Sequence, residues 1–448
     1  MQRNIAKNAL WLFLLGLGDG LRVNIFGLIS LSEIVVFVLA PLLFMRHQKE
    51  FQKAGFKTYF IMIGLMMVGT IASSLYNHTW LFASIKECAT IYSIFAYSVV
   101  LFLLIKEDFR GIGWTYLGCF IASFIVIFAF NTALHMSETS GTVEMSSSTA
   151  EEVMSGVRFW SNRISSGLKL PIVGATYMQW PILYPFIALP LSAFACLTMS
   201  ISGRADAAVS VLAAFLIFVA GKSRRRMMII GRHMFLFTFA LVALAIVGKM
   251  IYTKVASSGY LGAGAQAKYF AQTKQGNSIL SIIMAGRGEF FVGMRAVIDH
   301  PIMGFGFMAP DDNHYWEEFI WKYGDIEDYE RYMYAAKQYE LRGGVRHIPI
   351  HSYIVQFWGC SGIVGLVFST YIFYLVYVFF KKYAGAVPHW YGFFACALPA
   401  LIWSMFFSPY GHGVGSPMLF TCLLMARAVG RGWLRLPYDM EIEARKYE

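Results

Sequence analysis

Runs of about 20 apolar residues recur along most of this chain, and they constrain its fold more than any other feature. A helix needs roughly 20 residues to cross a hydrocarbon core about 30 Å thick, and only helices and closed barrels satisfy their backbone polar groups there. Charged residues make up 14% of the chain, whereas soluble domains average about 25%. We therefore predict an all-α polytopic integral membrane protein with about 11 to 12 transmembrane helices.

The apolar runs also predict where the chain crosses the bilayer. The predicted spans are residues 8–20, 25–45, 58–75, 82–105, 112–131, 177–200, 205–221, 233–252, 351–380, 391–408 and 412–429. Basic residues in the short connections, such as Arg46, Lys49 and Lys106, place the N-terminus in the cytoplasm. The predicted units are an N-terminal transmembrane bundle (1–252) with an extracytoplasmic loop (132–176), a large outer loop (253–350), C-terminal transmembrane helices (351–430) and a cytoplasmic tail (431–448).

Two ways of counting the crossings disagree. Counting from the N-terminus returns residues 253–350 to the cytoplasm, whereas counting back from Lys381 and Lys382 leaves them outside. We assign the mismatch to residues 221–252, where GKSRRRMMIIGRHMF leaves only a short run between two basic patches. A re-entrant or broken helix there would restore the count if protein surrounds it. The alternative is that GKSRRR is cytoplasmic and the miscount lies elsewhere.

Charge and cysteine content exclude several kinds of site. The formal net charge of +11 would suggest nucleic acid in a soluble protein, but here much of it lies in short connections and indicates topology. We therefore predict no nucleic-acid partner. The six cysteines show no paired C-x-x-C spacing, so we predict neither disulfides nor a metal site.

A basic cluster adjoins an apolar run at Ser223, Arg224, Arg225 and Arg226. An ordinary cytoplasmic loop accounts for such a cluster. The functional interpretation is an anion site, because the guanidinium fork suits phosphate oxygens and stays charged when partly desolvated.

A second polar cluster lies in residues 286–310. Arg287 and Glu289 precede Pro301, and Gly304 and Gly306 then permit a tight turn. A surface amphipathic helix that ends in a proline-glycine turn explains the same pattern.

His351 stands where the chain re-enters the membrane, in IPIHSYIVQFWGCSG. Such a histidine is either a polar residue at a helix start or a group that accepts a proton from a sugar hydroxyl or binds a phosphate oxygen. The aromatic and acidic insert from Asp311 to Tyr339 is predicted to form one or two helices. Its Trp316 and Trp321 either stack on sugars or pack against the rest of the loop.

The order of these elements resembles the superfamily of O-antigen ligases and Wzy-type polysaccharide polymerases of bacterial inner membranes. The resemblance rests on Ser223 and Arg224 at a membrane edge, then Arg287 with the Gly304–Gly306 turn, then His351. It covers residues 205–370 best. The chain departs from the family pattern after the Ser-Arg pair, where a full span is usual, and this leaves open which of the three consecutive arginines faces the donor.

The resemblance implies a GT-C-like fold with the large loop in the periplasm. It implies transfer of a glycan from an undecaprenyl-pyrophosphate carrier to a hydroxyl acceptor, with no cofactor and no required metal. By this resemblance Arg224 and Arg287 hold the pyrophosphate and His351 positions or deprotonates the acceptor, with Glu289 as an alternative base. The remaining predicted substrate-binding residues are Arg225, Arg226, Gly304, Gly306 and Trp316.

The predicted function is a polymerase of O-antigen, capsule or exopolysaccharide repeat units, with the bilayer and the lipid-linked oligosaccharide as partners. Whether a chain-length regulator also binds is left open. One alternative is a ligase that transfers the glycan to lipid A-core. Another, from a different class, is a transporter or flippase of a lipid-linked or anionic substrate, which should place charged residues deep in several spans.

Overall fold

The structure is a computed structural model. It describes residues 2–24, 28–106, 111–129, 254–255, 257–260, 288–323, 326–341, 345–383, 386–387, 390–410 and 413–435. The predicted loop 132–176 and the predicted spans 177–200, 205–221 and 233–252 lie outside these ranges.

Helices make up most of the described secondary structure. The N-terminal helices are α1 (Gln2–Gly20), α2 (Leu31–Lys53), α3 (Lys57–Tyr76), α4 (Leu81–Ile105) and α5 (Gly111–Ala129), with strands β1 (Arg22–Asn24) and β2 (Leu28–Ser30) between α1 and α2. The later helices are α6 (Gly288–Asp299), α7 (Tyr315–Tyr323), α8 (Ile326–Leu341), α9 (Tyr353–Ser361), α10 (Ile363–Val378), α11 (Tyr391–Phe407) and α12 (Gly415–Gly430), and Phe379–Tyr383 extends α10 as a π-helical turn.

The second predicted span, residues 25–45, is wrong at its start. Strands β1 and β2 pair antiparallel, and α2 begins only at Leu31. Ser30 and Glu33 form a capping box that fixes this start. The Glu33 backbone amide donates to Ser30 Oγ at 3.1 Å, and the Ser30 amide donates to Glu33 Oε2 at 2.8 Å. Apolar periodicity alone did not reveal that boundary.

Helix α4 lies at the centre of the described bundle and packs against α2, α3 and α12. Its Tyr97 and Phe102 are fully buried, whereas α2 and α3 expose apolar side chains such as Val38 and Val68. In the described part of the chain, four helices are long and apolar enough to cross a membrane: α2, α3, α4 and α10 with its π-helical extension. This composition and this exposed apolar surface are those of an all-α membrane protein.

The predicted span 351–380 is two helices that fold back on each other. Phe357 packs against Phe368, with ring centroids 5.5 Å apart. The two helices also approach closely at Gly365: a Cβ atom there would lie 1.8 Å from the carbonyl oxygen of Phe357. In a straight helix, residues eight apart would be about 12 Å apart along the axis. The chain reverses at Gly362, whose φ is +63°, so His351 precedes the short helix α9 and not the spanning helix α10.

The insert between the glycine turn and His351 is helical, as predicted. It contains α7 and α8, which pack against each other, and α7 also packs on α6. A small apolar core joins α6 and α7 to α9. Its buried members are Val292, Ala296, Val297, Phe305, Ala309, Tyr315, Ile348 and Val355.

Candidate functional site

His351 and Glu289, two of the predicted catalytic residues, lie side by side. The His351 Nδ1 atom is 3.2 Å from Glu289 Oε2, and the two side chains are 50% and 45% exposed. Each side chain is therefore packed against protein over about half of its surface and accessible to a ligand over the rest. The contact joins the first turn of α6 to the residue that precedes the N-cap of α9.

Gly293 explains how α6 comes close enough to make this contact. Glu289 and Gly293 are four residues apart and so share one face of the helix. A Cβ atom at Gly293 would lie 2.5 Å from the Pro349 carbonyl oxygen and 2.6 Å from Val355 Cγ1. Only glycine lets α6 pack this closely against Pro349 and Val355. This packing brings Glu289 into contact with His351.

A buried polar network fixes α9 to the centre of the bundle. Gln356 Nε2 donates to Glu87 Oε1 at 3.0 Å, and the Tyr410 backbone amide donates to Gln356 Oε1 at 2.7 Å. Glu87 on α4 and Gln356 on α9 are both almost fully buried. A buried carboxylate is stable only when it is hydrogen-bonded, so this network holds α9 in one position.

Two further polar contacts hold the ends of α9. Ser361 Oγ lies 2.8 Å from Thr70 Oγ1 on α3. At the other end, Tyr353 OH lies 2.7 Å from Ser416 Oγ on α12. Ser352 caps the helix by accepting from the Val355 amide at 2.9 Å. The segment that begins at His351 is therefore attached to three other helices and is preorganised.

The predicted glycine turn docks on the far end of α9. The Gly304 amide donates to the His300 carbonyl at 2.9 Å, and the Gly306 amide donates to the Gly359 carbonyl at 2.9 Å. Gly304 has a φ of +74°, and a Cβ atom there would lie 2.2 Å from the Gly359 oxygen. Gly359 is about 12 Å along the helix from His351, so the structure does not bring the turn and His351 together. A role of Gly304 and Gly306 in substrate binding stays a prediction.

Trp316 is half-buried and packs in the core beside α6. Its ring meets Phe319 edge-to-face, with centroids 6.2 Å apart. Its backbone amide donates to Asp311 Oδ2 at 3.2 Å, as part of the cap of α7. The neighbouring Tyr315 is buried, and this burial raises the pKa of its phenol. The contacts of Trp316 are those of the packing role, and its stacking on sugars stays a prediction.

The pair of Glu289 and His351 can perform proton transfer. A carboxylate beside Nδ1 favours the neutral tautomer with hydrogen on that atom, which leaves Nε2 as a proton acceptor. After Nε2 takes a proton, the same carboxylate stabilises the imidazolium. The family resemblance implies Glu289 and His351 as alternative bases, whereas this geometry suits a division of roles.

The four predicted arginines lie outside the described residues. These are Arg224, Arg225, Arg226 and Arg287. Within the ranges that the structure describes, no three His, Cys, Asp or Glu side chains group as metal ligands.

Sequence reasoning missed two residues that build the site, Gly293 and Gln356. A glycine inside an amphipathic helical run was the available signal for the first, since such glycines often mark close packing. Glu87, the partner of Gln356, is a charged residue within a predicted span and is buried.

The chain was compared with protein family models, with curated proteins and with solved structures, and it matches none of them.

Proposed function

We propose that this protein is a bacterial inner-membrane glycosyltransferase that polymerises undecaprenyl-pyrophosphate-linked repeat units of O-antigen, capsule or exopolysaccharide. The observation that carries the proposal is the contact between His351 and Glu289 beside a helix that is fixed inside an apolar bundle. Support also comes from the order of Ser223 and Arg224, Arg287, and His351 along the sequence.

The proposed reaction forms a glycosidic bond. An acceptor hydroxyl of a sugar attacks the anomeric carbon of the lipid-linked glycan, and the bond from that carbon to the pyrophosphate oxygen breaks. The hydroxyl proton passes to His351 Nε2, and Glu289 stabilises the imidazolium that results. Undecaprenyl pyrophosphate leaves with the bonding electron pair. Positive groups that face the leaving pyrophosphate would stabilise the charge that develops on it.

Arg224 and Arg287 are the proposed positive groups, with Arg225 or Arg226 as neighbours. His351 itself stands at the N-terminal end of α9, where the partial positive charge of a helix favours anions. Together these groups would accept a pyrophosphate at the membrane face without a nucleotide sugar.

The proposal includes an architecture and an orientation. The chain would cross the inner membrane about 11 to 12 times in a GT-C-like arrangement, with its N-terminus in the cytoplasm. The loop 253–350, which contains α6 to α8, would lie in the periplasm. The donor carrier presents its glycan on that side.

A deletion strain tests the proposal by its glycan profile. Loss of a polymerase leaves single repeat units attached to lipid A-core or to the carrier. A profile of long chains stranded on the carrier would instead indicate a ligase. Unchanged chain length and unchanged attachment would contradict both glycosyltransferase functions.

Reconstitution separates an enzyme from a transporter. Purified full-length protein in liposomes, supplied with lipid-linked repeat units, is expected to form polymer without moving donor between leaflets. Donor movement between leaflets without any polymer would favour a flippase and overturn the proposal. A His351→Asn variant, inserted equally well, is the matched inactive control.

A further inference from the structure

We propose that a groove between α1 and α2 binds one anionic glycerophospholipid of the cytoplasmic leaflet. The groove is an apolar cavity of about 740 Å³, and the end of α4 closes its floor. Leu14 and Leu17 of α1 form one wall, and Val35 and Leu39 of α2 form the other. It is separate from the His351 site.

The length of the groove suits an acyl chain. Its lining runs along α1 from Lys7 to Gly18, which is about 17 Å at 1.5 Å per residue. Half of the hydrocarbon core is about 15 Å, so a chain from one leaflet fits entirely inside. Apart from Asn8, Trp11 and Ser32, the wall residues are apolar, and Ser32 is already hydrogen-bonded to Tyr97.

The charge at one end of the groove selects the headgroup. Lys7, His47 and Lys106 line that end, which the basic connection after α2 assigns to the cytoplasm. Glu50 is the acidic group beside them, 2.5 Å from Lys106 Nζ and 2.7 Å from His47 Nδ1. The ammonium of Lys106 has three donors, so it can bind Glu50 and a phosphate oxygen together.

These observations favour a phospholipid over a polyprenyl carrier. Two ammonium groups and one carboxylate leave a net positive mouth next to the anionic surface of the cytoplasmic leaflet. Basic pockets between helices on that side suit phosphate headgroups. The proposed glycan donor has its pyrophosphate at the opposite end of the bundle.

Native mass spectrometry of the full chain, extracted from liposomes of equal phosphatidylglycerol and phosphatidylethanolamine, tests the proposal. We expect retained phosphatidylglycerol to exceed phosphatidylethanolamine at least about tenfold, since one well-placed charge contact corresponds to roughly that ratio. Equal retention of the two lipids would overturn the proposal.

Variants that fill the groove locate the bound lipid. Val35→Trp and Leu14→Trp, one on each wall, should each lower phosphatidylglycerol retention about tenfold because the indole occupies the space of the chain. Val38→Trp and Leu10→Trp are matched controls, since these residues are exposed on the same helices and do not line the groove. Loss that is equal in wall and control variants would contradict the assignment.

Two further arms test the headgroup and the class of lipid. Lys7→Gln should lower the ratio of phosphatidylglycerol to phosphatidylethanolamine while acyl-chain binding persists. An unchanged ratio in Lys7→Gln would overturn the assigned mouth. Undecaprenyl phosphate added at equal concentration should not displace phosphatidylglycerol, and its preferential retention would show that the groove holds a carrier instead.

Discussion

Two contacts between a histidine and a glutamate differ in how the molecule makes them. His47 and Glu50 are three residues apart in α2, with Nδ1 and Oε1 2.7 Å apart; the backbone kinks at His47 (φ −112°, ψ 18°), and Lys106 shares the carboxylate. His351 and Glu289 come from two separate elements, with Nδ1 and Oε2 3.2 Å apart. The first contact needs no tertiary packing, because its residues are only three apart along the chain and stay close across the kink at His47. The second exists only because the fold holds α6 against the start of α9.

The difference teaches which contact is informative about function. A pair of residues three apart can form a contact through local chain geometry alone, so it says little about chemistry. A pair that the fold assembles needs supporting residues, here Gly293 and the network of Glu87 and Gln356. We therefore expect substitutions in the assembled pair or in its supporting residues to lower the rate of polymer formation. Substitutions in the local pair should change that rate hardly at all.

The largest expected effect is that of His351→Asn. Removal of a general base lowers rates by about 10²- to 10⁴-fold, so polymer formation in liposomes should fall by at least about 100-fold. His47→Asn should leave the rate within about twofold, because that pair only stabilises a helix end locally. Initial rates of chain growth, measured at equal protein abundance, check both variants.

His314 provides a closer control, since it belongs to the same loop as Glu289. Its Nδ1 atom is 3.5 Å from Glu317 Oε2, and its φ is +55°. Asparagine tolerates that backbone conformation, so His314→Asn should remain active. If His314→Asn lowered the rate of polymer formation as much as His351→Asn, the contact between His351 and Glu289 would not be specifically required.

Gly293→Ala should give the next largest effect. The new methyl group would meet the Pro349 carbonyl and Val355, so α6 must move away and Glu289 must leave His351. We expect unfolding free energy to fall by about 1–3 kcal/mol, as for other overpacked sites, and the rate to fall about tenfold. Gly64→Ala is the matched control, because a Cβ atom at Gly64 meets nothing within 4 Å. Equal thermal midpoints and rates for the two variants would show that Gly293 does not position α6.

Glu289→Gln should have a smaller effect. An ion pair whose partners are about half exposed contributes about 1 kcal/mol, which corresponds to about a fivefold change in rate. Glu50→Gln, the same substitution in the local pair, should leave the rate unchanged. If Glu289 acts through the imidazole, Glu289→Gln should lower the rate no further in a chain that already carries His351→Asn. A further loss in that double variant would make Glu289 an independent base.

The sequence predicted several elements of the fold well. Long apolar runs gave α3 and α4 to within about two residues, because the length of a spanning helix is set by the bilayer. The apolar runs did not predict the start of α2. There a capping box and a strand pair, and not hydrophobicity, decide where the helix begins. Nor did the apolar runs predict the reversal at Gly362, because an apolar run has the same appearance whether it is one helix or two.

The two residues of the candidate site were named from the sequence, but their contact was not predicted. His351 and Glu289 were both named from polar residues near membrane edges, yet nothing in their spacing indicated a contact. That contact depends on Gly293 and on hydrogen bonds between residues far apart in sequence, such as Glu87 and Gln356. Contacts of this kind follow from tertiary packing and carry no local signature.

Glu87→Gln is expected to give the smallest effect and tests the anchor that lies farthest from the pair. Glutamine is nearly the same size and keeps an acceptor for Gln356 Nε2, so α9 should stay in place and the rate should change less than in Glu289→Gln. What is lost is the charge on the acceptor, and thermal unfolding should report a loss of about 1 kcal/mol. Lys86→Gln is the matched control, because it introduces glutamine at the neighbouring, exposed position. It should leave both stability and rate unchanged. A thermal midpoint of Glu87→Gln equal to that of Lys86→Gln would mean that the bundle holds α9 without this network, and Gly293 would then remain as the residue that positions the pair.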